Sequence, residues 1–440
     1  MARRQTGLFP IFALGCFLAS CSPGDDPVEL RPPPPDTTSR SVGDTVQRGS
    51  LTVTVTAAGE ASRALEALGR PADRVPEAHV RIRRVGESPV EVGTTDSLGE
   101  VTFAGLLPGR YDITSLRLLN ADETARINEA DSALSGVNAF GGGNRVQVQP
   151  PSSTADVEAV AGRRGSLVIS EVHDWSPREI GGPTVQYSLA KYVEVYNNAD
   201  TTVYLDGKII AQAFDFVWES DASPDRCVDY ERWRLDSEGI WAQRVLRFPG
   251  SGREYPVLPG QARVVAQQAI NHEELYPGSG LPDLSRADFE VFGMGQDIDN
   301  PAVPNMEHVG FRPSVDPLGR GLLLSSIPIL VVVDNVDLES LPTDKLPLQY
   351  PDYHRFPGEA ILDLVTTQPV PRAHLTWRFC ERLVSGVFDR QVAIIKDEFA
   401  GNSMHRRVLG TTRTGYPILQ RTKTSAVDLV RGARSPGRVP

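Results

Sequence analysis

Apolar and hydroxyl residues alternate along Leu51-Thr52-Val53-Thr54-Val55-Thr56. A period of two places the apolar set on one face of an extended strand and leaves the other face to water. The same beat returns in His79-Val80-Arg81-Ile82, in Val90 to Val92, and in Arg145-Val146-Gln147-Val148. Asp96 to Gly99 predicts a hairpin turn with glycine at the position needing positive φ, after which Val101 and Phe103 share an inward face. Pro108-Gly109 predicts a second tight turn, and Tyr111 and Ile113 begin the next strand. The polar stretch Asp122 to Ser135, with Gly141-Gly142-Gly143 beyond it, reads as a mobile loop, because a glycine run without a following helix is no phosphate cradle.

Strand patterning continues past residue 163. Ser166 to Val172 opens a second set, and Tyr192-Val193-Glu194-Val195-Tyr196 places Val193 and Val195 on one face with Tyr192, Glu194 and Tyr196 on the other. Asn197-Asn198 with Asp200 reads as a turn, and Leu258-Pro259-Gly260 turns into a strand at Ala262 to Ala266. The apolar run Ile327 to Val333 contains Pro328 and stops at Asp334. A bilayer needs about 20 apolar residues, so this run predicts a buried strand.

The amino terminus carries Arg3 and Arg4, an apolar run from Gly7 to Leu18, and the exit Leu18-Ala19-Ser20-Cys21. A basic head, a short apolar segment and small residues make a secretory signal. The exit resembles the lipobox of bacterial lipoproteins. That resemblance implies removal of residues 1–20 and acylation of Cys21, anchoring the mature chain to a membrane through lipid. Ser22 is not the Asp that resembles an inner-membrane retention signal, which favours the outer membrane. Asp25 and Asp26 are similar to the acidic tethers of surface-exported lipoproteins. Pro27 to Asp44, with Pro32-Pro33-Pro34-Pro35, cannot bury a core and predicts a semi-rigid stalk, so residues 21–48 are expected to be lipidated linker.

With 440 residues the chain is long enough for two or three domains. Its net charge of −11 argues against a nucleic-acid partner, which would need a basic face. Cys16 leaves with the signal and Cys21 is the lipid site, leaving Cys227 and Cys380 in an oxidising compartment. They form either a disulfide, which would be worth about 4–5 kcal/mol by chain entropy, or two separate buried thiols.

Thr95-Asp96-Ser97-Leu98-Gly99 through Phe103, Leu107-Pro108-Gly109 and Tyr111 resembles the carboxypeptidase regulatory-like, prealbumin-type β-sandwich, which implies a spacer or docking module over residues 49–162. The strand order from Ile169-Ser170-Glu171 through Tyr192 to Asp200 to Ala262–Ala266 looks like the lamin-tail type of immunoglobulin-like sandwich, an attachment module. Ile270-Asn271-His272, Leu284 to Glu290, Asp297 to Pro301, Ile361 to Val365, Gly401 to Val408 and Gln420 to Ser425 are similar to an uncharacterised lipoprotein family, domain of unknown function 4876. Lys423-Thr424 departs from the asparagine pair of that family. The resemblance spans residues 163–430 and implies an accessory of TonB-dependent uptake systems, with residues 431–440 left as a disordered tail. The expected fold is mainly β, two β-sandwich domains (prealbumin-like, then Ig-like) behind a signal peptide and a Pro-rich linker.

Candidate chemistry is sparse. Asp297, Asp299 and Asn300, followed by Glu307 and His308, could supply oxygen donors to Ca²⁺, although EF-hand spacing is missing and an Asx-turn network before Pro301 explains the same residues. His272-Glu273-Glu274 lacks the second histidine of a zinc helix and reads as a solvated helix start. No G-x-S-x-G elbow occurs. His173-Asp174-Trp175 are neighbours whose side chains would face opposite sides of a strand, and nothing fixes the geometry of Asp352, His354 and Glu359. Trp233 and Trp241 flank a charged stretch, where core positions and an exposed ligand face are both open readings. The expected function is a non-enzymatic outer-membrane or cell-surface binding module, lipid-anchored and working with a receptor or channel. The alternatives are an extracellular hydrolase whose carboxylates follow Leu205, and a structural or adhesion component of the envelope.

Overall fold

The computed structural model describes residues 47–87, 90–173, 189–213, 218–219, 226–291, 298–309, 329–344, 353–369, 378–380, 383–395 and 401–438. All of them belong to the unit Gln47–Pro440. Cys21, the signal and the Pro-rich stalk lie outside the described residues. Among the described residues no helix is long and apolar enough to cross a membrane.

The expected mainly β architecture is observed. The first sheet contains β1 (Gly49–Ala57), β2 (His79–Arg84), β3 (Val90–Thr94), β4 (Glu100–Leu106), β5 (Gly109–Leu118), β6 (Ala139–Val148) and β7 (Ser152–Gly162), in the order β3-β2-β5-β6-β7-β1-β4. The path rolls over until its two ends meet. A Cβ on Gly93 of β3 would lie 2.7 Å from Val101 of β4, so glycine is what lets these layers close. Leu51, Val53, Val55, Val80, Ile82 and Phe103 fill the interior together with α1 (Glu60–Ala67).

Two expectations for this region are corrected. The Asp96–Gly99 turn forms, with Gly99 at φ 74 and Asp96 Oδ1 accepting from the Leu98 and Glu100 amides. It does not close a hairpin, because β3 pairs with β2 and β4 pairs with β1. Turn chemistry fixes the chain reversal, while apolar faces choose the partner. The polar stretch after residue 120 is no loop either. It forms α2 (Ala121–Ala130), started by a reciprocal capping box between Asn120 and Glu123. Gly141 to Gly143 then sit inside β6, and at the first two of them neighbours leave no room for a side chain. A Cβ on Gly141 would stand 2.6 Å from the Leu409 carbonyl, and one on Gly142 2.2 Å from that of Glu158.

The second sandwich packs two sheets face to face. One holds β8 (Leu167–His173), β9 (Tyr192–Asn197), β15 (Ala262–Ala266), β16 (Phe289–Glu290), β24 (Asn402–Arg406) and β27 (Leu429–Ala433), in the order β16-β15-β9-β8-β24-β27. The other runs β19 (Thr343–Asp344), β20 (Tyr353–Pro357), β13 (Gly239–Arg247), β11 (Ile209–Ala213), β18 (Ile329–Val333), β21 (Ile361–Pro369), β23 (Ala393–Ile395), with β17 (Glu307–Val309) also on β13. Short ribbons complete it: β10 (Val203–Tyr204) with β14 (Pro256–Val257), β12 (Trp218–Glu219) with β22 (Arg378–Phe379), and β25 (Val408–Thr411) with β26 (Pro417–Leu419). Ile169, Val193, Val195 and Val265 of one sheet meet Ile210, Leu246, Val332 and Val365 of the other. The expected buried strand after Pro328 is β18, central in its sheet.

Both outer faces are also covered. Trp233 of α4 (Glu231–Arg234), which follows α3 (Arg226–Asp229), packs with Ile209, Ala211, Val331 and Tyr353. Leu284, Ala287 and Val303, beyond α5 (His272–Leu275), cover Tyr192, Val264 and Ala266. For this reason β8 and β9 are buried at every position. Leu409 of β25 packs on Leu116, Ala139 and Ile418, joining the second sandwich to the first. The end of the chain, expected to be a disordered tail from 431, instead completes β27 and is hydrogen-bonded through Ser435 and Gly437. Its sequence is short and polar, and buried carboxylates far upstream supply the acceptors that hold it.

Candidate functional site

Strands β8, β9 and β24 and the residues after β27 converge on a buried polar seam. Glu171 of β8 is 2 % exposed. Its carboxylate accepts from the Tyr192 hydroxyl, the Ser403 hydroxyl, the Ser435 amide at 3.1 Å and the Ser435 hydroxyl at 3.0 Å. His405 Nδ1 stands 3.6 Å from its second oxygen. Glu194, one strand away, accepts from the Ser170 hydroxyl at 2.6 Å and the Gly437 amide at 2.8 Å. Burial pushes the Glu194 carboxyl up to about 7, against those two hydrogen bonds and with Glu171 adding to the rise. Burial, then the Glu171 charge, also lifts the Tyr192 phenol above its usual range, so the phenol stays protonated and donates.

Serine, histidine and a carboxylate thus meet in one place, the ingredients of nucleophilic catalysis. Their wiring is different. Ser403 Oγ lies 2.9 Å from His405 Nε2, but that nitrogen is also 2.8 Å from the Ala433 carbonyl. A carbonyl only accepts, so Nε2 carries a proton and cannot take one from the serine. Ser403, 3 % exposed, donates to Glu171 instead. The seam pins Ser435 and Gly437 to β8 and β9. Sequence reasoning missed it, since Glu171 and Glu194 look like ordinary outward strand positions; the only signal was Ser170-Glu171 inside an otherwise apolar run.

The sequence-derived candidates are dispersed. Asp297 lies outside the described residues. The Asn300 side chain donates to the Ala269 and Ser285 carbonyls and accepts from the Ala302 amide, and Asp299 accepts from Asn305. These bonds use the asparagine to order the loop. Among the described residues no three His, Cys, Asp or Glu side chains gather as a metal site requires. His173 is buried with Nδ1 3.1 Å from the Asn402 carbonyl, and burial, with Arg434 nearby, pushes it down to about 3, hence neutral. Asp174 and Trp175 fall outside the described residues, as does Asp352. His354 lies in β20 and Glu359 in the short turn Gly358–Ala360 that follows it. His272 does begin a helix capped by Asn271, but it is buried, not solvated, and burial lowers it to about 4. Trp233, 3 % exposed, stacks on Tyr353 at 5.8 Å, so it is core. Trp241 donates to Asp236, which Arg355 grips at 2.6 Å and holds down at about 2. Cys227 and Cys380 are bonded to each other, with an S–S distance of 2.02 Å.

Comparison with known proteins adds a family. Among solved structures the chain is similar to a DUF4876 family protein from Bacteroides thetaiotaomicron, with 20% identity and a TM-score of 0.51, covering 89% of this chain and 98% of that one. A DUF3823 family protein from Bacteroides uniformis aligns at 9% identity and a TM-score of 0.16, over 70% of this chain and 96% of that one. No curated protein matches. The stretch from Leu258 to Ser435 matches the family described as protein of unknown function, DUF4876; it includes β24, β27 and Ser435 but not Glu171 or Glu194. Residues 258–435 of this chain are therefore a DUF4876 domain.

Proposed function

We propose that this chain is a non-enzymatic lipoprotein, anchored to the outer membrane through acylated Cys21, that binds through its loops as an accessory of a TonB-dependent uptake system. The anchor is supported by the lipobox-like Leu18-Ala19-Ser20-Cys21 and the Pro-rich stretch behind it. The observation that carries the non-enzymatic reading is the wiring of Ser403: its hydroxyl donates to buried Glu171, and the neighbouring imidazole nitrogen is already committed to Ala433. Polar residues of this kind serve the framework, and contacts with a partner fall to surface loops on a rigid scaffold.

Three measurements test it. Full-length lipidated protein, solubilised from outer membranes in detergent, co-elutes with a β-barrel receptor; repeated recovery without one overturns the accessory role. Cys21→Ser shifts the protein from the membrane to the soluble fraction, whereas a variant that stays bound refutes the lipid anchor. Ester or glycoside turnover that disappears in Ser403→Ala would contradict the non-enzymatic reading.

A further inference from the structure

A cavity of about 50 Å³ opens beside the loop that links β26 to α6 (Ser425–Asp428). Ile361, Leu364 and Phe388 form its apolar wall, while Asp363, Arg421 and Lys423 bring charge to it. The acidic groups at its edge are already satisfied. Asp363 accepts from Arg406 and from Arg421 Nε, and Asp428 from the Thr422 amide and hydroxyl. Lys423 differs. Its backbone sits at φ 58, rare for a lysine, and its carbonyl accepts from the Arg390 amide at 2.9 Å. Its half-buried ammonium meets no hydrogen-bond or ion-pair partner among the described residues.

The surroundings are cationic. Arg163 and Arg390 converge on Glu60, at 2.9 Å and 2.7 Å, so one carboxylate answers two guanidiniums. Burial first, then Arg421, Arg163 and Arg390, hold the Lys423 ammonium below its usual range, with Glu60 opposing. An uncompensated ammonium in a partly dry site is costly, and an anion would relieve it.

We propose that this cavity binds a small organic carboxylate, its oxygens between Lys423 and Arg421 and its hydrocarbon against Leu364 and Phe388. The apolar wall decides the class. Inorganic phosphate would meet the same cations but would shed its hydration against hydrocarbon with nothing gained there. The assignment stands independently of any uptake partner.

Lysines occur only at 191, 208, 345, 396 and 423, so amine labelling resolves each one by peptide mapping. The full-length protein is acetylated with acetic anhydride over a pH series, alone or with sodium butyrate, inorganic phosphate or sodium chloride at equal ionic strength. Butyrate should slow labelling of Lys423 roughly fivefold and raise its midpoint, leaving the other lysines unchanged. Equal protection by phosphate or chloride, or no protection at all, overturns the proposal. Lys423→Arg should keep a butyrate-induced rise in Tm, and Lys423→Met should lose it with an unchanged circular dichroism spectrum. A rise retained in Lys423→Met also overturns it.

Discussion

Arg406 Nη2 and Asp363 Oδ2 lie 2.5 Å apart, each side chain 1 % exposed, and tie the two sheets of the second sandwich together through its core. The pair also serves one residue of a third strand. Asp363 accepts from the Ile169 amide at 2.8 Å, and Arg406 Nε donates to the Ile169 carbonyl at 2.8 Å. Ile169 is where the pairing of β8 with β9 shifts register. A bulge leaves backbone groups without ladder partners, and here a buried ion pair supplies them.

Removing one member leaves the other charge buried with lost partners. Arg406→Met is therefore expected to destabilise by about 3–5 kcal/mol, and Asp363→Asn by a similar order. The double variant Arg406→Met/Asp363→Leu should cost less than the sum of the singles, since neither member of the pair is left facing the gap of the other, while Arg421 and Asp428 each lose one partner in the double as in the matching single. Urea denaturation of the four proteins checks this; strict additivity would refute the coupling.

Glu194 makes stability depend on pH in an unusual direction. Its folded value near 7 lies above its ordinary 4.5, so the folded state binds the extra proton. The contribution is complete below about pH 4.5 and is lost as pH rises towards 7, up to about 3 kcal/mol. Glu194→Gln should remove that slope, giving a variant whose stability difference from the parent grows in its favour from pH 5 to about 7. A constant difference across thermal melts in this range would sink the assignment.

His173 and His272 act oppositely. Their folded values, about 3 and about 4, lie below the ordinary 6.5. Stability is complete above 6.5 and falls as acid protonates the unfolded chain first, down to about pH 4 for His272 and about 3 for His173. Acid unfolding should be shallower in His272→Gln than in the parent, read by far-ultraviolet circular dichroism. An unchanged slope would show that His272 does not carry it.

The Cys227–Cys380 disulfide closes a separation of 153 residues beside the Trp233 cluster. Chain entropy puts its contribution at about 5 kcal/mol. Cys227→Ser/Cys380→Ser should lower the urea midpoint accordingly without changing strand content, and reduction of the parent should reproduce the shift. A reduced parent as stable as the oxidised protein would mean that the bridge constrains little.

Several features were legible in the chain alone because they are local. Alternation in Leu51–Thr56 reported a strand, Asp96–Gly99 a turn, and the stop at Asp334 the end of a short buried strand, since each rests on chemistry within a few residues. The helix at Ala121–Ala130 was equally local and was missed, its Asn120–Glu123 capping box lying inside a stretch judged only by polarity.

Tertiary structure decided the rest. Whether Glu171 faces water or the hydroxyls of Ser403 and Ser435 depends on segments more than 230 positions away in sequence. Position 141 of β6 holds glycine because a Cβ there would run into Leu409. Lys423 stands in a cationic setting because Arg421, Arg163 and Arg390 arrive from three different segments. Periodicity determines which residues share a face; what covers that face, and which charges it brings, is set only when distant segments pack, because burial and pairing energies belong to the assembled core and not to the strand.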